Sequence, residues 1–341
     1  MIKIKNIYYM LTYAFRVLNK VNYKKIAVEE FAHTADLLAS ILIKGVNSQV
    51  KRGLGKEYIQ TNAALRSPKG KINVTQSIKH QSHMKSQLIC NYEVYTENTY
   101  MNQILKTTMT RLLKLSEVSQ KNKRELRKAL MFFSNVDQIE FGPINWSALN
   151  YTRNNSTYKM LMNICYFIID GLLLTEKEGN YKSANFMDDQ KMHRLFEKFI
   201  FEYYRKHFPQ YKVNASHIKW QVDEGDIEFL PTMQTDIVLR SAENTLIIDT
   251  KYYGKTMQRS FNKKSFHSHN LYQIFTYVKN EDMMNSGKVS GMLLYAKTEE
   301  EITPNETFTM AGNRIGVKTI DLNMEFYEIR KQLDGFVGEF L

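Results

Sequence analysis

The sequence predicts an α/β protein, α+β overall, whose C-terminal half holds a mixed sheet flanked by helices. Two observations predict this class: a strand–turn–strand pattern between 233 and 252, and a helical pattern at 269–279 that precedes the apolar run VSGMLLYA. A third is size, since 341 residues with 43% hydrophobic content are enough to build a substantial core.

Residues 1–150 are expected to form an N-terminal domain of helices and β-hairpins. Apolar residues recur at helical spacing in 6–19 and 29–50, and 99–134 reads as two helices with charged outer faces. Between them, 57–97 mixes alternating stretches such as KINVTQSI and QLICNYEVY with turn signals, which predicts a basic β-hairpin segment. The Gly142-Pro143 pair marks the expected domain boundary.

Residues 151–341 are expected to form the second domain, with the mixed sheet at its centre. Its apolar helical patterns are followed by strand patterns, a further helix, three more strands and a terminal helix. The helices are predicted at 157–174, 187–206 and 269–279, and the first strands at 217–222, 233–240, 245–252 and 289–296.

The charge of the chain favours a polyanionic partner. The net charge is +12, and the stretch from Lys44 to Lys85 holds nine Lys or Arg but a single acid, Glu57. A basic composition without a polyanionic partner is the alternative. Cys90 and Cys165 form no metal-binding or redox motif and are expected to be buried thiols. With no signal segment and no long apolar run, we expect a soluble cytoplasmic protein with no membrane partner.

The predicted hairpin brings charged side chains together. If SAEN (241–244) is its turn, Arg240 pairs with Thr245, and Asp236 falls opposite Asp249. Because side chains alternate along a strand, Lys251 points to the same face as Asp249. Two opposed carboxylates are unfavourable without a counterion.

A divalent cation resolves this repulsion. Mg²⁺ prefers oxygen ligands, often one or two carboxylates with water and phosphate oxygens. We therefore predict a magnesium site at Asp236 and Asp249, with the Thr250 backbone carbonyl as a further ligand. Such a site suits phosphodiester hydrolysis, in which Lys251 positions water or stabilises the developing anion. The alternative is a solvated pair of acids bridged to Lys251.

The sequence that follows supports the hydrolytic interpretation. Gln273 and Tyr277 are four residues apart, so they share one face of the predicted helix beside the carboxylates. The connection before that helix carries cations that could contact a phosphate backbone, although a solvated loop is the alternative. These candidate DNA-binding residues are Lys255, Arg259, Lys263 and Lys264.

Together these residues resemble the PD-(D/E)xK nuclease superfamily in its RecB-like form, which carries a Q-x-x-x-Y helix. Asp236, Asp249, Lys251, Gln273 and Tyr277 match its motifs, although Pro231 lies five residues before the first Asp instead of adjacent to it. Nearly the whole chain resembles the McrC family, the nuclease subunits of McrBC restriction systems. The matching stretches are KNIYYMLTYAF, LRSPKGKINV, HRLFEKFIFEYY, NLYQIFTYV and GMLLYAKT.

The resemblance implies a division of labour between two proteins. A ring-forming AAA+ partner, McrB, would hydrolyse GTP and recognise methylcytosine, while this chain cleaves double-stranded methylated DNA and stimulates that GTPase. The chain itself is expected to bind no nucleotide, because GLGKE (53–57) lacks the P-loop spacing. Arg66, Lys69 and Lys71 are the candidate residues for entering the ring; direct DNA contact and a solvated hairpin are the alternatives.

The superfamily often carries an acid on the first core helix. Glu197 shares a helical face with His193, so it is a candidate third metal ligand; a solvent-exposed pair with Arg194 or Lys198 is the alternative. His193 is expected to be structural. The predicted function is a Mg²⁺-dependent endodeoxyribonuclease of type IV, modification-dependent restriction. A stand-alone RecB-like nuclease and a non-catalytic, DNA-binding activator of an AAA+ NTPase are the competing hypotheses.

Overall fold

The computed structural model describes residues 2–14, 29–139, 144–152, 155–177, 189–252, 257–260, 263–297 and 303–341. The chain forms two compact units. Unit 1 comprises Met1–Thr34 and Tyr181–Leu341, and unit 2 comprises Ala35–Asn180. The division therefore differs from the predicted boundary at residue 150. The first helix joins the C-terminal part of the chain, and the helix after residue 155 joins the N-terminal part.

Unit 2 combines a helical core with a small antiparallel sheet. Its helices are α2 (Thr34–Val50), α3 (Val74–Lys79), α4 (Tyr100–Lys114), α5 (Gln120–Leu130) and α6 (Ser156–Lys177). Its strands are β1 (Glu57–Leu65), β2 (Lys71–Ile72) and β3 (Leu88–Thr96), in the order β1-β3-β2. Helix α6 belongs here because it packs on α4, where the Tyr158 hydroxyl donates a 2.7 Å hydrogen bond to Oδ1 of Asn102. Both cysteines are buried, as predicted.

The β segment between 57 and 97 is confirmed as antiparallel, but it is interrupted. Strands β1 and β3 pair from Glu57↔Thr96 to Leu65↔Leu88. The prediction of a strand at KINVTQSI is wrong beyond its first two residues, because Val74–Lys79 is the helix α3. Asn73 explains the switch: its side-chain oxygen accepts a 3.0 Å hydrogen bond from the Gln76 backbone N–H, which is a helix N-cap.

Unit 1 is built on a six-stranded mixed sheet. Its helices are α1 (Ile4–Ala14), α7 (Asp189–His207), α8 (Ser268–Glu281) and α9 (Phe326–Phe340). The sheet has the order β12-β13-β11-β8-β7-β4, in which β11 runs parallel to β8 and β13 while the other pairs are antiparallel. Its strands are β4 (Lys212–Asn214), β7 (Ile237–Arg240), β8 (Thr245–Lys251), β11 (Val289–Ala296), β12 (Glu306–Met310) and β13 (Asn313–Ile320). Two short pairs accompany it, β5 (His217–Ile218) with β6 (Met233–Gln234), and β9 (Met257–Ser260) with β10 (Lys263–Phe266).

Helices cover both faces of this sheet. On one face α8 lies so close that a Cβ at Gly291 would fall 2.7 Å from the Val278 side chain. On the other face α9 lies equally close, since a Cβ at Gly316 would clash with Phe340. Helix α1 packs against α7, and the Tyr9 ring stacks on Phe326 with centroids 4.3 Å apart. That contact explains why α1 belongs to unit 1.

Candidate active site

The predicted hairpin register is correct. Strands β7 and β8 pair with Arg240↔Thr245 and Val238↔Ile247, across a tight turn at 241–244. Asp249 and Lys251 therefore share a face of β8, and Nζ of Lys251 lies 2.7 Å from Oδ2 of Asp249. Both side chains are removed from solvent, since Asp249 is only 2% exposed and Lys251 11%.

Asp236 lies just before β7 and closes the end of this hairpin with its side chain. The backbone ladder stops at Ile237↔Ile248, one pair before the predicted Asp236–Asp249 pair. The missing backbone bond is replaced, because Oδ2 of Asp236 accepts hydrogen bonds from the Thr250 backbone N–H at 2.7 Å and from its hydroxyl at 2.9 Å. These bonds orient the Asp236 carboxylate and use one of its two oxygens.

The environment of Asp249 disfavours its ionised form. Burial, followed by the Asp236 charge, raises the pKa of Asp249 from 3.8 to about 6, while Lys251 and His193 act in the opposite direction. Within the described residues, Oδ2 of Asp249 is buried and accepts no well-aligned hydrogen bond, despite its ion pair with Lys251. An ionised carboxylate at this position is therefore incompletely compensated.

Helix α8 presents the two residues that the Q-x-x-x-Y pattern singled out. Lys251 donates to Oε1 of Gln273 at 3.1 Å, and Nε2 of Gln273 donates to the Tyr277 hydroxyl at 2.8 Å. Tyr277 in turn donates to the backbone carbonyl of Gln234 at 2.9 Å. Gln234 is the last residue of β6 and lies two residues before Asp236 in the chain. This continuous chain of hydrogen bonds fixes the position of the Lys251 ammonium.

Helix α7 approaches the same end of β8 with two further side chains. Burial raises the pKa of Glu197, and the Asp236 charge adds to the shift, so Glu197 lies within electrostatic reach of the carboxylates. Nε2 of His193 lies 2.9 Å from the Thr250 carbonyl and donates to it. The sequence predicts a structural role for His193; its four-residue spacing from Glu197 is the signal that places it beside the site.

The residues present suit a hard divalent cation. Asp236 and Asp249 interact electrostatically at this end of the hairpin, and the buried Asp249 has a raised pKa despite its ion pair with Lys251. Among the described residues, no three His, Cys, Asp or Glu side chains are already arranged to hold an ion. A pair of carboxylates is still compatible with Mg²⁺, which is commonly held by one or two carboxylates and completes its shell with waters and substrate oxygens.

Three of the four predicted DNA-binding cations lie on a short β-ribbon. Strands β9 and β10 pair with Lys264↔Arg259 and Lys263↔Ser260. Lys255 lies outside the described residues, as do the side chains of Arg259, Lys263 and Lys264. Their contact with DNA stays a prediction.

The cations predicted to contact a partner lie on unit 2. Arg66, Lys69 and Lys71 are exposed at the turn between β1 and β2. Lys69 and Lys71 line an open groove of about 550 Å³, and the Lys69 ammonium lies 5.0 Å from the centre of the Tyr92 ring. Glu93 also lines this groove, which is therefore accessible and mixed in charge, and its occupant stays a prediction.

Comparison with known proteins identifies the family. The family model described as McrBC 5-methylcytosine restriction system component matches residues 3–296. The chain belongs to the McrBC family. The Escherichia coli K12 member described as the type IV methyl-directed restriction enzyme EcoKMcrBC is 29% identical over 346 residues, covering 100% of this chain and 98% of that protein.

A solved structure supports the fold of this McrBC family member. It is a half-complex from a tetradecameric assembly of Thermococcus gammatolerans McrB AAA+ hexamers with bound McrC. The similarity has a TM-score of 0.51 at 14% identity and covers 96% of this chain and 76% of that chain. In the described part of the chain, no helix is both long and apolar enough to cross a membrane.

Proposed function

We propose that this chain is the Mg²⁺-dependent endodeoxyribonuclease subunit of a McrBC restriction system, with a PD-(D/E)xK active site. One observation carries the proposal: Asp236, Asp249 and Lys251 meet at the end of β7 and β8, with Asp249 buried and its pKa raised to about 6. A buried, poorly compensated carboxylate beside a second one is costly for the fold alone. A bound cation would offset this cost, so a cation-dependent reaction explains why the two carboxylates lie together.

The metal would be held by the oxygens of Asp236 and Asp249 and by the Thr250 carbonyl. When bound, Mg²⁺ would acidify water and neutralise charge on the phosphate. Glu197 is the further candidate ligand, or it orients one. His193 is proposed to orient the Thr250 carbonyl, because its Nε2–H already donates to that oxygen.

Lys251 is proposed to stabilise the negative charge that develops on the phosphate. Its ammonium is held between Asp249 and Gln273, so little reorganisation is needed when the substrate arrives. Gln273 and Tyr277, also predicted as catalytic residues, are proposed to act by positioning that ammonium. Lys255, Arg259, Lys263 and Lys264 are proposed to contact the DNA backbone.

We further propose that a McrB-like AAA+ subunit binds this chain, hydrolyses GTP and recognises methylated DNA. The Thermococcus gammatolerans relative, described as McrC bound to McrB AAA+ hexamers, supports this assignment. Arg66, Lys69 and Lys71 are the proposed partner contacts. The sequence contains no convincing P-loop, which agrees with nucleotide binding by the partner. We propose a cytoplasmic location, where such a system would meet foreign DNA.

The test is cleavage of methylated plasmid DNA by the full chain with the neighbouring AAA+ protein, GTP and Mg²⁺. Wild type should cleave, and Lys251→Ala should not, while both should stimulate the partner's GTPase equally. In a separate measurement, Mg²⁺ should raise the melting temperature of the wild-type chain alone. At a hundredfold excess of Mg²⁺ over Kd, the expected gain in the free energy of unfolding is about 2.7 kcal/mol. Asp249→Asn should lack this response.

The competing hypotheses give different results in the same assay. Cleavage by the chain with Mg²⁺ alone, without partner or GTP, would identify a stand-alone nuclease. GTPase stimulation without cleavage by wild type would identify a non-catalytic activator. Lys251→Ala that is folded but loses both activities would contradict the proposed separation between the nuclease site and the partner contacts.

A further inference from the structure

Helix α5 in unit 2 is an exposed and strongly basic surface that the nuclease site does not use. Within 11 residues it carries one acid, Glu125, and five cations. These cations are Lys121, Lys123, Arg124, Arg127 and Lys128. All of them except Lys123 are exposed, and Lys123 is half-buried.

The helix is firmly anchored through its opposite side. Leu126 and Ala129 are at most 1% exposed. Asn122 donates from its side-chain nitrogen to Oδ1 of Asp36 at 2.7 Å, and Ser119 caps the first turn. Since successive residues advance by roughly 100° around an α-helix, the five cations occupy the arc opposite Asn122, Leu126 and Ala129. The backbone of α5 therefore presents its cations from a rigid support.

Three of the five cations have no acidic partner among the described residues. Glu125 forms an ion pair with Lys128 at 2.7 Å. Among the described residues, no acid lies within ion-pair distance of Lys123, Arg124 or Arg127. A surface of this kind is either merely solvated or complementary to an anion.

We propose that α5 binds the sugar-phosphate backbone of double-stranded DNA, independently of the residues that cleave it. From Lys121 to Lys128 the helix rises about 10.5 Å, which corresponds to about three phosphates along one strand of a duplex. Cations along one helix can therefore contact successive phosphates and hold DNA without reading its sequence. The inference rests on the proposed function only in taking DNA as the substrate.

A protein partner fits this surface less well. The cores of protein interfaces are depleted in charged residues and contain aromatic or aliphatic anchors. The basic arc of α5 contains no apolar side chain. The nearest exposed ones in sequence, Met131 and Phe132, follow the end of the helix. They provide a way to distinguish the two occupants, because a phosphate backbone does not require them.

The test measures binding of the full chain to a fluorescein-labelled duplex of about 30 base pairs by anisotropy, in EDTA and over a series of KCl concentrations. The variant is Arg124→Gln/Arg127→Gln. The matched control, Lys288→Gln/Lys331→Gln, removes the same charge from exposed positions in unit 1. Circular dichroism and melting temperature verify folding.

The α5 variant should reduce the slope of log K against log[KCl] by about 1.8, because each lost phosphate contact contributes about 0.9. Across a fourfold rise in KCl, wild type should therefore lose about twelvefold more affinity than the variant does. The control should keep the wild-type slope, and Arg124→Lys/Arg127→Lys should also retain it because the charge is preserved.

Equal slopes for wild type, α5 variant and control would overturn the proposal. So would unchanged DNA binding with lost stimulation of the AAA+ partner, especially if Met131→Ser/Phe132→Ser has the same effect, because α5 would then contact protein. The binding assay in EDTA requires no cleavage, and cleavage by the α5 variant is scored separately in the reconstituted assay, with Lys251→Ala as the inactive reference. A failed nuclease assignment is thereby distinguished from a failed α5 assignment.

Discussion

Replacing Asp249 with asparagine should change how the stability of unit 1 depends on pH. Asp249 has its pKa raised from 3.8 to about 6, so the folded state holds this proton more tightly than the unfolded chain does. Below about pH 3.8 the carboxyl is protonated in both states and costs nothing. Above pH 6 it is ionised in both, and burying the charge costs about 3 kcal/mol, from a shift of 6 − 3.8 at 1.36 kcal/mol per pH unit.

The contribution of this carboxyl to folding stability thus falls as pH rises. Between pH 4.5 and 7.5 the cost grows by about 2 kcal/mol, and Asp249→Asn removes this dependence. The free energy of unfolding of the variant, relative to wild type, should therefore increase by about 2 kcal/mol over that range. The ion pair with Lys251 forms only with the ionised carboxylate, and its effect is already included in the pKa of about 6.

The measurement is urea unfolding in EDTA at the two pH values. The chain has two tryptophans, Trp220 in unit 1 and Trp146 in unit 2. A Trp146→Phe background leaves Trp220 as the reporter of the unit that contains Asp249. A difference between the two proteins that stays constant within about 0.5 kcal/mol from pH 4.5 to 7.5 would refute the argument that a charge is buried at this position.

Four further substitutions test the surroundings of the site. Lys251→Ala should reduce DNA cleavage by at least about a hundredfold in the reconstituted assay, with partner GTPase stimulation retained; a tenfold loss or less would rule out its role in stabilising charge. Tyr277→Phe removes the hydroxyl that joins α8 to β6 and should lower unfolding free energy by about 1 kcal/mol, with a smaller cleavage defect than Lys251→Ala. Gly291→Ala places a Cβ 2.7 Å from a side chain of α8 and should destabilise unit 1 by about 1–3 kcal/mol in urea unfolding, whereas an unchanged midpoint would mean that α8 can shift freely. As its control, Gly335→Ala meets nothing within 4 Å on α9 and should stabilise by up to about 1 kcal/mol.

The central part of the candidate site was predictable from local patterns. The turn at 241–244 and the alternation of β8 determine a register, and the register places Asp249 and Lys251 on one face. The four-residue spacing of Gln273 and Tyr277 likewise ensures that both side chains lie on one face of α8. These predictions succeeded because they concern neighbours along one strand, one hairpin or one helix.

Contacts between distant segments were not predictable in the same way. An amphipathic pattern shows that α1 and α6 bury a face, but it does not specify the partner of that face, so the predicted boundary at residue 150 differs from the observed division. The hydrogen bond from His193 to the Thr250 carbonyl joins residues 57 positions apart. No local spacing encodes that approach.

By itself, the sequence determined which chemical groups the site contains and how those on one hairpin or helix are oriented, since backbone geometry repeats with a known period. Tertiary structure alone decided how strongly these groups interact. Packing α7 and α8 against the end of β8 excludes water from Asp249, raises its pKa and brings His193 and Glu197 beside it. Burial and electrostatic coupling depend on the three-dimensional surroundings, which residue order does not specify.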